Sequence, residues 1–356
     1  MADPPSAPSP EAPSTPVRRG QGFAISAPSR GFVLTLTAFT CVCAVLGLVV
    51  GRGGAGSSLL DPLFLTMRAQ RTAVAFCSGA AVAVAGAVVQ GLFRNPLANP
   101  QILGTTAGAV LGAHVALLAT VLIFGGGSAY PVAPEMMVPI GALLGACVSL
   151  FALLAVASLR VGLLTLLLTG WGLMSLFQGA STFLNNLFQE AWELNRALAA
   201  LNLGSISASG PKQVVRVLVM TVGGCLPIWL SSSTLDVLLT GDEEALTLGV
   251  DVQRERFWLV LWVALLTAGA VAVGGSVGFV GLIVPHVLRR FVGQRHRYLL
   301  PYTLVGGGAF VMLCDLACRL LPLRVEIPLG VLTDLIGAPV FLHLLLRLAR
   351  KGQLHG

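Results

Sequence analysis

Charged residues are scarce. Asp, Glu, Lys and Arg make up 10% of the 356 residues, where soluble domains carry about 25%. That deficit excludes a water-soluble enzyme or binding module as the bulk of the chain. Lysine is scarcer still, with only Lys212 and Lys351. A phosphate-binding loop needs Gly-Lys followed by Ser or Thr. Lys212 follows Pro211, and Lys351 lies between Arg350 and Gly352, so neither is a nucleotide-loop lysine. Any ATP-driven work must be done by another polypeptide. Polar-loop cysteines are also missing. Cys41, Cys43, Cys77, Cys147, Cys225, Cys314 and Cys318 all fall in apolar runs, which argues against a disulfide framework or a zinc site. Cys314 and Cys318 are one helical turn apart and admit a metal pair. Seven small buried hydrophobes is the simpler reading. No convergent His, Asp and Glu set marks an enzyme centre, and no cofactor or metal is expected.

What is present is apolar. Hydrophobic residues make up 55% of the chain, and mean hydropathy is +0.86. A membrane helix needs about 20 apolar residues. Such runs occur at Phe32–Val50, Thr72–Phe93, Ile102–Phe124, Met136–Leu159, Val161–Leu184, Val214–Leu230, Phe257–Val273, a short Val277–Leu288, Leu299–Leu321 and Ile327–Leu348. They predict an all-α polytopic membrane protein of about ten spans. Residues 1–30, rich in Pro, Ser and Ala, read as a disordered tail rather than a signal peptide. Residues 31–350 form the transmembrane domain, and 351–356 a short C-terminal tail. The net charge of +7 does not point to nucleic acid, because the basic residues flank apolar runs without interleaved aromatics. With the N-terminus inside, 14 of the 22 basic residues fall on the inner side and 8 on the outer. That bias places both termini in the cytoplasm and the protein in the inner membrane.

The chain also echoes itself. Ala81-Val-Ala-Val84 returns as Ala270-Val-Ala-Val273, and at the same offset of 189 Gly86 meets Gly275 and Pro96 meets Pro285. Two halves of five spans enter the bilayer with opposite orientations, the inverted repeat frequent in transporters. Gly274-Gly275 and Gly278 break the short eighth span from its neighbour, as in a discontinuous helix that lines a cavity or is covered by protein.

The most specific stretch is Gln90-Gly-Leu-Phe-Arg-Asn-Pro-Leu-Ala-Asn-Pro100 with Leu103-Gly104 and Ala107-Gly108-Ala109. It occurs with Gly278-Phe-Val-Gly-Leu-Ile-Val-Pro-His286 and Arg289, Asp315 with Arg319, and Glu326-Ile-Pro-Leu-Gly330 with Gly337-Ala-Pro-Val-Phe341. From about Leu60 to Arg350 the sequence resembles the permeases that import ferric siderophores, haem and cobalamin as part of binding-protein-dependent ABC importers. The resemblance implies a type II ABC importer permease fold and a homodimer around a central pathway. It also implies two cytoplasmic ATP-binding subunits and a separate substrate-binding protein.

The same resemblance suggests roles. Arg68, Arg71 and Arg319 match family arginines that contact acidic residues on the binding protein, although Gln70 stands where proline is usual. The competing readings are snorkelling to lipid headgroups and, for Arg319, a pair with Asp315 one turn away. The polar segment 241–251 resembles a coupling helix that seats in the ATPase. Asp242, Glu243 and Glu244 suit a first helical turn, Ala245 follows, and Gly249 suits the end. Leu246 and Leu248 are the anchors of that contact, and the acids form its rim. Gly162, Leu163 and Leu164 align with the family's cytoplasmic gate, where small hydroxyl residues are common. Here the segment is apolar and would close by dewetting. Asp315 and Asp334 fall within spans, at roughly 2.5–3.5 kcal/mol each. They are either proton-relay groups of a secondary transporter or structural partners, and His286 reads as a capping or packing residue. An ATP-driven importer carrying a ferric siderophore, or else haem or cobalamin, is the leading expectation. A proton-coupled transporter is the alternative.

Overall fold

A computed structural model describes residues 29–51, 61–101, 104–124, 134–159, 163–187, 202–204, 206, 210–321 and 327–350. The tail before Ser29, the C-terminal 351–356 and Gly162 lie outside the described residues. Twelve helices are described: α1 (Arg30–Val49), α2 (Pro62–Leu92), α3 (Thr105–Phe124), α4 (Pro134–Ser158), α5 (Leu163–Leu187) and α6 (Pro211–Leu230). They continue with α7 (Ser232–Leu238), α8 (Asp242–Thr247), α9 (Val252–Gly274), α10 (Val280–Val292), α11 (His296–Leu320) and α12 (Leu329–Arg350). Each of the ten apolar runs coincides with one helix, leaving α7 and α8 as short extras. Among the described residues, seven helices are long and apolar enough to cross a membrane. α10, at 13 residues, is too short to do so unaided.

α2 is the staff of the fold. It starts ten residues before the predicted run, where Asp61 caps it through Leu63 N–H at 2.9 Å and Pro62 takes the first position. From Thr72 to Leu92 it is almost wholly buried. Its run of Ala, Gly and Val lets neighbours approach to backbone distance, which is how helices associate where lipid removes the hydrophobic drive. α11 runs antiparallel to it. A Cβ on Gly79 would overlap the carbonyl oxygen of Gly307, and a Cβ on Gly307 would overlap Ala83. The pair extends from Gly91 beside His296 to Arg71 beside Asp315. At Gly86 a Cβ would run into the backbone of Gly281 in α10. α3 and α4 form a second close pair, in which Gly108 and Gly112 face Gly145 and Gly141 carbonyl to Cα.

α1 completes the frame, with Phe32 stacked on Phe291 of α10 (centroids 4.9 Å apart) and its C-terminal end against α2 and α11. The offset of 189 lays α2 over α9. It does not carry local structure beyond them, because Pro96 lies in the turn after α2 while Pro285 lies inside α10. Between α9 and α10 the chain is broken as expected. Gly275 adopts φ 68° and Phe279 adopts φ 57°.

Candidate functional site

Among the described residues polar groupings interrupt the apolar body, including one at each end of α2 and one part-way along. At the α2 N-terminal end the structure brings together Arg68, Arg71 and Arg319. Asp315 is their centre. Arg71 Nε donates to Asp315 Oδ1 at 2.9 Å, and Arg319 Nη2 pairs with Asp315 Oδ2 one turn away on the same helix. Arg319 Nη1 also donates to Gly47 O at 2.7 Å, and Arg68 Nη1 donates to Val49 O at 3.1 Å. These carbonyls belong to the C-terminal end of α1, where backbone acceptors lack helical partners. The cluster therefore ties α1, α2 and α11 together. Arg319 and Asp315 have side chains 4% and 3% exposed, whereas Arg71 keeps 20%.

Part-way along, the broken backbone before α10 is satisfied by side chains, as buried irregular backbone must be. Gly278 N–H donates to Thr333 Oγ1 at 3.1 Å, and Phe279 N–H donates to Gln101 Oε1 at 3.0 Å. Gln101 Nε2 in turn donates to Asp334 at 3.4 Å, so Asp334 has a structural partner. A Cβ on Gly278 would overlap the Asp334 carboxylate, so a larger residue there would have to displace that side chain. His286 is half-buried on α10, and among the described residues no three His, Cys, Asp or Glu gather as a metal site. Beside Gln101 lies a polar cavity of about 70 Å³ bordered by Thr106, Gln178, Ser181, Asn202 and Ser276.

At the α2 C-terminal end lies an elbow. α8 carries Asp242, Glu243 and Glu244 in its first turn, where the helix dipole favours them. It closes with Gly249 at φ 80°, whose N–H donates to Leu246 O at 3.0 Å while Val250 N–H donates to Ala245 O at 3.0 Å. This reciprocal pair is the glycine-terminated helix stop. Ala245 is fully buried and seats α8 on its own chain, while Leu246 and Leu248 face outward at 61% and 66% exposure. Leu163 and Leu164 open α5.

Sequence reasoning missed the groups that hold this elbow. Asp242 pairs with Arg94 and, at 2.8 Å, with Arg256 of α9. Asp236 on α7 accepts from both the backbone N–H and Nδ1 of the buried His296, at 2.9 and 2.7 Å. Arg94 lay within the most specific motif, and an arginine where a helix stop favours glycine was the available signal.

The FecCD transport family matches residues 32–347, nearly the whole described chain. The chain belongs to that family. A cobalamin import system permease protein of Halobacterium salinarum is 38% identical over 79% of this chain and 72% of its own length. An Fe(3+) dicitrate transport system permease protein of Escherichia coli is 36% identical over 80% of this chain and 86% of its own. A solved metal-chelate type ABC transporter in an inward-facing conformation superposes with a TM-score of 0.73 at 31% identity, covering 88% of this chain and 98% of that one.

Proposed function

We propose that this FecCD-family chain is the membrane-spanning permease of a binding-protein-dependent ABC importer. In this reading it moves a large metal chelate inward on ATP hydrolysed by separate subunits. A ferric siderophore is the first choice of cargo, with haem or cobalamin next. The observation that carries the reading is the elbow: a short acidic helix, rigidly held on its own chain, that turns Leu246 and Leu248 outward. Two exposed leucines inside an acidic rim make an apolar anchor for a partner groove. The coupling role of Asp242, Glu243, Glu244, Ala245, Leu246, Leu248 and Gly249 rests on that geometry and on the family. At the opposite end, Arg71, the most exposed of the three arginines, makes the contact to an acidic binding protein, and the buried Arg68 and Arg319 hold the cluster behind it.

The polar cavity of about 70 Å³ is far below the several hundred Å³ that even a drug-sized ligand occupies. The apolar cavity beside Trp229 and Leu300, of about 240 Å³, is also too small, so in this reading a chelate passes between two copies. On α5, Gly172 and Gly179 meet nothing within 4 Å of an added Cβ, so a second copy can approach closely there. Ten spans in two inverted halves, with both termini and the elbow in the cytoplasm, complete the arrangement, and the 162–164 segment is its inner gate.

The proton-coupled alternative needs Asp315 and Asp334, and both have structural partners. Asp315 is clasped by two arginines, and Asp334 is bonded to Gln101. Co-reconstitution with the cognate ATP-binding subunit and binding protein in liposomes tests the proposal. Ferric-siderophore uptake is expected only with ATP on the elbow side. Accumulation driven by a proton gradient through this chain alone would refute it.

A further inference from the structure

Arg94 occupies an improbable place. α2 ends at Leu92, and the turn that stops it bonds Arg94 N–H to Gly91 O at 3.1 Å and Asn95 N–H to Gln90 O at 3.0 Å. In this stop the residue at Arg94 adopts left-handed backbone, and its φ is 49°. Glycine takes that conformation freely, whereas an L side chain is strained there. Among the described residues only Phe279 shares this strain without being glycine.

The side chain has a use for the position. Arg94 Nε donates to Leu238 O at 3.0 Å, the last carbonyl of α7, and Arg94 Nη2 pairs with Asp242, the first residue of α8. Between those two acceptors lies Gly241, at φ 142° and ψ 160°, a region open in practice only to glycine. One guanidinium thus bonds both sides of the one glycine that lets the chain fold between α7 and α8. A planar fork of several N–H donors can span two acceptors, while the single ammonium of lysine cannot hold both in the same geometry. Arg256 and His296 grip the elbow from α9 and α11, but neither bridges Gly241.

We propose that Arg94 is a positioning residue, a staple across the Gly241 hinge that fixes the angle of α8 to the end of α2, so that displacement of α8 moves α2 instead of bending the hinge. The proposal rests on the reading of α8 as the ATPase-facing helix. With the staple gone the partner still docks and hydrolyses ATP, but the hinge absorbs the motion.

The test uses the complete importer in liposomes and compares Arg94→Gly, Arg94→Lys, Asp242→Asn and the double change Leu246→Asp with Leu248→Asp. Arg94→Gly suits the backbone of the stop, so its thermal midpoint should match or exceed that of the unchanged protein and the ATP-binding subunits should still co-purify. Substrate moved per ATP hydrolysed should fall severalfold while hydrolysis continues. Arg94→Lys should be intermediate, and Asp242→Asn, which breaks the staple from the other side, should reproduce the loss. A structural defect alone would lower assembled complex, hydrolysis and transport together. Unchanged transport per ATP in Arg94→Gly, or loss there without loss in Asp242→Asn, overturns the staple. The leucine pair tests the underlying reading separately. If those changes leave the ATP-binding subunits attached, the ATPase-facing assignment fails. If they release them while Arg94→Gly stays coupled, only the staple fails.

Discussion

Replacing Asp315 by Asn is the sharpest single perturbation of the arginine cluster. The substitution keeps shape and removes one negative charge, the carboxylate that Arg319, 4% exposed, and Arg71, 20% exposed, both hold. Removing one partner of a buried pair costs roughly 3–5 kcal/mol, because the remaining charge stays desolvated. Arg319 retains Gly47 O and Val50 O as acceptors, and the Asn amide oxygen still accepts one bond. The lower end, about 3 kcal/mol, is therefore expected. In detergent the thermal midpoint should drop by several degrees, with earlier proteolysis at the α1–α2 junction because the cluster anchors the end of α1. Replacing Asp315 and Arg319 together by Leu should restore most of the loss, since an apolar pair avoids desolvation altogether and Arg71 can reach water. A proton-relay aspartate would behave in the opposite way, with normal stability and lost uptake. An Asp315→Asn protein as stable as the original, or a double variant less stable than the single one, would refute the structural assignment.

Two further outcomes follow from glycine packing. Gly112→Leu puts a branched side chain where even a Cβ would overlap Gly141 O and lie 3.0 Å from the Gly145 Cα. It should separate α3 from α4 and cost more than the roughly 1–3 kcal/mol of ordinary overpacking, read as a lost thermal transition or failed accumulation. Gly179→Leu, on the open face of α5, should leave the monomer's thermal stability intact while shifting the particle from dimer to monomer in light scattering; a dimer that persists would remove α5 from the interface.

The positions of the spans were legible because bilayer thickness imposes a length that composition reports directly. The elbow was legible too, since Gly241 and Gly249 bracket three consecutive acids and each glycine is required by a positive φ. The pair of Asp315 with Arg319 follows from their spacing of four. What stayed hidden has one physical cause, which is pairing between residues far apart in sequence. The sequence expectation started the second span at Thr72 and left Arg68 and Arg71 just outside it. The helix extends back to Pro62 because a carboxylate 244 residues away neutralises Arg71 and α1 carbonyls take up Arg68. Arg94 was counted as an orientation charge for the same reason, since its acceptors lie 144 and 148 residues on. The repeat offset was readable in composition but not in architecture, because a proline serves a turn in one copy and a helix interior in the other.

The same geometry bears on how two distant ends can act together. Arg71 and Arg94 are separated along α2 by 23 residues, about 35 Å at the α-helical rise. Over that length α2 and α11 meet at Gly79 and Gly307 without intervening side chains. Tight backbone contact leaves little room for the helices to slide independently, because packed interfaces switch between discrete arrangements and do not deform continuously. At one end the pair is clamped by Arg71 and Asp315, and at the other by Gly91 against the buried His296 that Asp236 holds. A tilt imposed through α7 and α8 must therefore appear at the arginine cluster, which is also where α1 is attached. On the proposed reading, ATP-driven closure below and release of the binding protein above are two ends of one rigid helix pair. That requires the ionic groups to sit at its tips and the glycines along its length, as they do here.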